Sequence, residues 1–109
     1  MSVLMVVRRK GSPEVNSSFP VATEEFFARV WEPAIEFLGS RWLGLFSTGV
    51  KIHQSDIPEV LVELAAMRDW AGLGATDAEK SHALSRSLLV TRALEEAQDD
   101  ATVISIWVG

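Results

Sequence analysis

The feature that most constrains this chain is that both of its ends read as β-strands. Val3-Leu4-Met5-Val6-Val7 and Thr102-Val103-Ile104-Ser105-Ile106-Trp107-Val108 are apolar and rich in β-branched residues, which suits a pleated surface rather than a helix. Ends so apolar must be tied into a sheet, and in 109 residues there is room for one core only. Both runs are apolar at successive as well as alternate positions, so the expectation is strands covered on both faces or lying centrally, pairing with each other.

Between the ends the pattern changes period. Residues 11–18 (Gly-Ser-Pro-Glu-Val-Asn-Ser-Ser) hold turn formers without periodicity, and a mobile loop is expected over 11–19. Thr23 offers an N-cap hydroxyl, Glu24 and Glu25 suit the positive end of a helix, and Phe26, Phe27, Val30, Trp31, Ala34, Phe37 and Leu38 recur at helical spacing. Pro33 inside this stretch predicts a kink or restart near Glu32, and Gly39 the end. Trp42-Leu43-Gly44-Leu45-Phe46 and Val50-Lys51-Ile52-His53 look like short strands, as a hairpin or one bent strand. Asp56 and Glu59 make a capping-box-like start to a helix with the stripe Ile57, Val60, Leu61, Leu64, Met67, Arg68 and Ala71. Thr76 and Glu79 cap a further helix with Ala83, Leu84, Leu88, Val90 or Thr91, Leu94 and Ala97 inward. The expected order is β-α-β-(β)-α-α-β: a single α+β domain over 1–109, with a small mixed or antiparallel sheet of three to four strands and three helices packed on it.

Composition removes several classes of function. Without cysteine there is no disulfide, thiolate metal site or cysteine nucleophile. A net charge of -5 is the wrong sign for a partner of nucleic acid or anionic lipid. The basic cluster Arg8-Arg9-Lys10 follows the first apolar run instead of preceding it, the reverse of an export signal, and no stretch nears the roughly 18 apolar residues of a membrane helix. A cytoplasmic protein is expected.

The candidate chemical motifs are weak. Gly72-Leu73-Gly74 joins two helices and lacks a phosphate loop's preceding strand and lysine, so it reads as helix termination. Glu79 and His82 form a single E-x-x-H where a di-metal bundle needs two, and His53 lies on a strand far along the chain. The serines near His82 and the Ser55-Asp56 pair near His53 lack a nucleophile elbow. No metal, no cofactor and no catalytic residue is expected. More informative are four tryptophans with no tyrosine at all, because tryptophan is enriched among interface anchors. Trp31 and Trp70 sit beside or off their helical stripes and are expected to reach the surface. Acidic residues gather on the same helices, and Glu24, Glu32, Glu36, Glu59 and Glu63 with Trp31 or Trp70 form the expected partner-binding face.

The segment Thr48-Gly49-Val50-Lys51-Ile52-His53-Gln54-Ser55-Asp56-Ile57-Pro58-Glu59-Val60-Leu61-Val62-Glu63-Leu64, a strand running into an S-D-I-P helix start, resembles small bacterial immunity proteins of polymorphic toxin systems. That resemblance implies a non-enzymatic inhibitor that binds a cognate toxin domain, one expected to be basic. The alternative is a small homo-oligomeric ligand-binding or regulatory domain, a homodimer for instance, which would use the same apolar surplus as a subunit interface.

Overall fold

Pairing of the two chain ends organises the molecule. The computed structural model describes residues 2–109. Strand β1 (Ser2–Arg9) lies antiparallel to the last strand, β4 (Val103–Val108), with Met5 opposite Val108 and Val7 opposite Ile106. Reciprocal bonds between Leu4 and Gly109, at 2.9 and 3.1 Å, extend that ladder. β2 (Ser17–Thr23) and β3 (Val50–Ile52) flank the pair, giving the all-antiparallel order β2-β1-β4-β3. The α+β expectation, with both ends in the sheet interior, is met.

Only one face of this sheet is covered. Val3, Met5, Val7, Val21, Ile52, Ile106 and Val108 are buried, and the helical segments α1 (Glu24–Phe26), α2 (Glu32–Leu38), α3 (Ile57–Asp69) and α4 (Asp77–Gln98) supply the opposing layer. The alternate residues Leu4, Val6 and Trp107 point the other way. Trp107 keeps 45% and Leu4 39% of its surface exposed. Of the two expected placements, the central one is met and coverage on both faces is not: the apolar residues at successive positions serve a core on one side and water on the other.

The first predicted helix is broken into α1, a π-turn at Phe27–Trp31 and α2. Thr23 Oγ1 accepts from Phe26 N–H at 3.1 Å as the expected cap. Glu32 N–H reaches back to the Phe27 carbonyl, five residues away, and Pro33 then falls in the first turn of α2, where a missing donor costs nothing. The restart near Glu32 is thus built as a widened turn. Gly39 ends α2 at φ 67°, a conformation open to glycine.

Several local readings change. Residues 17–19 belong to β2, so the expected loop over 11–19 is shorter. Phe19 and Val21 face inward while Ser18 and Pro20 face out, and Pro20 is tolerated because β2 is an edge strand. Trp42 to Phe46 is not a strand: Leu43–Leu45 forms a 3-10 turn, leaving Val50–Ile52 to pair with β4. Asp56 bonds back to His53 N–H at 3.3 Å, so the box at the start of α3 is made with His53 and not Glu59. On α4 the buried stripe is Ala83, Ser87, Val90, Leu94 and Ala97. Leu88 is exposed, and Ser87 replaces it by donating its hydroxyl to the Leu84 carbonyl at 3.1 Å.

Because β1 and β4 are bonded on both sides and cover the core, their amides should exchange with solvent at rates close to those of global unfolding. Hydrogen exchange read by NMR should find residues 3–7 and 106–108 slower than residues 17–19 of edge strand β2.

Candidate functional site

The acidic residues divide into those the fold uses and those it leaves free. Glu63, on α3, is half-buried, and its carboxylate accepts from three successive backbone amides: Arg41 at 3.2 Å, Trp42 at 2.8 Å and Leu43 at 3.0 Å. These are the donors that a turn leaves open at its N-terminal end, and a carboxylate there satisfies them. Glu63 is therefore a structural residue, and it explains why 42–46 winds into a turn. Glu59, one helical turn earlier, accepts from Trp42 Nε1 at 3.1 Å and pairs with Arg41 at 3.3 Å. Glu24, Glu32 and Glu36 are exposed, and none enters a side-chain hydrogen bond or ion pair among the described residues.

The tryptophans also sort themselves. Trp31 is fully buried, stacked on Phe27 at 5.4 Å and near Phe46 at 6.5 Å, so its expected surface role is corrected: it is a core residue. It lies in the π-turn four residues after the buried Phe27, and its Nε1 is left without a hydrogen-bond partner. Trp70, at the end of α3, is half-buried and stacks on Phe37 with ring centroids 5.1 Å apart and planes at 21°. Its ring lies so close over Gly72 that a Cβ there would come within 2.5 Å of it. Phe37 itself is 70% exposed.

Glu59, Val62, Glu63, Ala66 and Trp70 share one face of α3 by their spacing, and Val62 is as exposed as Phe37. An aromatic and apolar strip results, from Trp42 at one end of α3 to Phe37 and Trp70 at the other, roughly 16 Å long at 1.5 Å per residue. Arg41 lies over the Trp42 ring at 5.8 Å. Of the expected site, the structure thus brings together Glu59, Glu63 and Trp70, leaves Glu24, Glu32 and Glu36 free on the neighbouring helical segments, and removes Trp31. Phe37 looks like a core residue in the sequence, because the extra residue of the π-turn, which offsets the helical count by about 100°, leaves no local signal.

The histidines stay apart. His82 packs edge-on against Phe26 at 4.8 Å, and its E-x-x-H partner Glu79 instead receives Ala75 N–H at 3.0 Å and Arg29 at 2.8 Å. His82 and Arg86 border a concavity of about 310 Å³ beside β2. Among the described residues no group of three or more His, Asp or Glu could hold a metal ion, and no helix is long and apolar enough to cross a membrane. Comparison with protein-family models, with curated proteins and with solved structures finds no match.

Three carboxylates are held below their usual range. For Glu14 the Ser12 hydroxyl is the main cause. For Glu79 the Ala75 amide is the main cause, assisted by Arg29. For Asp100 the Thr102 hydroxyl and amide lead, followed by Arg9, whose Nε lies 2.9 Å away. A carboxylate depressed in the folded state adds stability above its unfolded pKa, and that contribution is lost as pH falls through the folded value. The urea midpoint should accordingly hold steady from pH 7 to about 5 and fall below about pH 4, with Glu79→Gln and Asp100→Asn each flattening the decline. Separately, Glu63→Ala strands three amides and should cost about 1 to 3 kcal/mol in chemical denaturation.

Proposed function

We propose that this chain is a non-enzymatic binding protein of the immunity kind, which neutralises a basic cognate toxin domain through the strip along α3. The observation that carries the reading is the Phe37–Trp70 stack: a large aromatic ring, 70% exposed, seated on a second aromatic ring. An exposed ring already held in place by stacking loses little freedom on binding, which is what an interface anchor requires. The free carboxylates Glu32 and Glu36 precede Phe37 on the same helical segment. With a basic partner they would speed encounter, while the aromatic stack would slow dissociation. Glu59 adds charge at the far end of the strip, and Glu63 holds Trp42 in position from below. A cytoplasmic setting belongs to this reading, since an immunity protein meets its toxin inside the cell it protects.

The test is coexpression with the toxin encoded beside the gene, scored by survival and by the affinity of the purified pair. Phe37→Ala should fold normally, abolish protection, and cost roughly 2 to 4 kcal/mol of binding, while Glu36→Lys should chiefly slow association and reduce its salt dependence. Unchanged survival and affinity in both variants would remove the strip as the site. A homodimer in sedimentation equilibrium that Phe37→Ala dissociates would instead favour the regulatory alternative.

A further inference from the structure

We infer that the open face of the sheet is a second docking surface, built for an acidic amphipathic helix of a partner protein. Its centre is apolar: Leu4 and Val6 on β1 stand beside Trp107 on β4, where Val6 and Trp107 are direct cross-strand partners. Its flanks are cationic. Arg8 lies opposite Ser105 on one side of β4, and Lys51 lies opposite Trp107 on the other, both exposed. Val6, Arg8, Ser105 and Trp107 together line a shallow concavity of about 260 Å³.

Charge identifies the occupant. None of the fifteen acidic residues lies on a strand, so this face carries cations with no carboxylate among its own strand residues to answer them. A ligand with carboxylates bordering an apolar stripe matches both features, since Arg binds carboxylate in a forked geometry and Trp and Leu bury the stripe. Size and edges argue for a helix. Four strands at about 4.8 Å spacing, some five residues deep, give a face on the order of 350 Å², less than half the roughly 800 Å² per partner of a stable dimer. A single helix, roughly 10 Å across, would lie along the apolar centre of this face and leave its cationic flanks to the carboxylates on either side, about three turns matching the depth of the strands. A second copy placed face to face would also bring Arg8 and Lys51 against their like. Strand addition at an edge is disfavoured, because β2 carries Pro20 and β3 has three residues only.

The probe is a synthetic 18-residue helical peptide with a leucine stripe bordered by glutamates, compared with its lysine counterpart. Titration into the labelled protein should shift the amides of Leu4, Val6, Arg8, Ser105 and Lys51 and the indole resonance of Trp107. The glutamate peptide should bind at least tenfold tighter than the lysine peptide. Arg8→Glu and Lys51→Glu, both at exposed positions, should each weaken it by a similar factor, whereas Phe37→Ala should leave it unchanged, so that this surface and the α3 strip fail or stand separately. Equal binding of the two peptides, no binding, shifts centred elsewhere, or a dimer that buries the Trp107 indole without peptide would each overturn the inference.

Discussion

The antiparallel pairing of β1 with β4 is the constraint from which the other features follow. Once the two ends occupy the middle of the sheet, everything between them must leave by one edge and return by the other. The chain passes through β2 at the first edge, crosses the helical layer through α1 and α2, touches the far edge at β3, and crosses back through α3 and α4. Register then decides which side is dry. Met5 opposite Val108 and Val7 opposite Ile106 put one parity of both strands against the helices, and a slip of one residue would exchange that set for Leu4, Val6 and Trp107.

Helices laid on one side of such a sheet must be fixed relative to each other, and here charged side chains supply several of the ties. Glu63 joins α3 to the 42–46 turn through three amides. Arg29 in the π-turn reaches Glu79 on α4, and Arg9 at the end of β1 gathers Asp100, Ser17 and the Val15 carbonyl. The Glu63, Arg29–Glu79 and Arg9–Asp100 ties cross between elements distant in sequence, Arg9 also closes the nearby connection to β2, and each uses hydrogen bonds to ions, the stronger class. The remaining acids are spread over helices and connections, while the strands carry only Arg8, Arg9 and Lys51 as charges. The net charge of -5 therefore describes neither side of the molecule: it averages an acidic helical layer with a sheet face of the opposite sign.

What the sequence discloses follows the range of the interaction responsible. Thr23 and Thr76 cap helices whose first turns they adjoin, and Ile57, Val60, Leu64 and Met67 repeat at a spacing that any helix would bury; both features are local and legible. The apolar residues at 42–46 suit a strand or a turn equally, and the carboxylate that decides for the turn, Glu63, lies about twenty residues on. The π-turn shifts Phe37 outward against a count of 3.6 residues per turn, while Trp31, four residues after Phe27, stays on the buried side. Ser17 and Ser18 concealed the start of β2, since their inward or outward placement depends on a partner strand. Of the candidate site, Glu59, Glu63 and Trp70 were legible as one helix face, but the use of Glu63 as a cap was not, and Phe37 and Trp107 passed for core.

That last confusion bears on function. An aromatic residue that is fully buried needs no reason beyond the core, as Trp31 shows by stacking on Phe27. Phe37 is different. With 70% of its surface still in water, it recovers only a minor part of the roughly 2 to 3 kcal/mol that complete burial of such a side chain provides, and its stack with Trp70 adds about 1 kcal/mol. A polar residue at position 37 would leave α2, closed by Gly39 and anchored by Ala34, with the same backbone and nearly the same core. The exposed ring is thus weakly accounted for by folding, and so is Val62 on α3, which is exposed to the same degree. Single exposed apolar residues are ordinary on protein surfaces; here Phe37 and Val62 are accompanied by a stacked Trp70 and by a Trp42 tied by its indole to Glu59, and it is this grouping, not either residue alone, that the proposed binding role draws on.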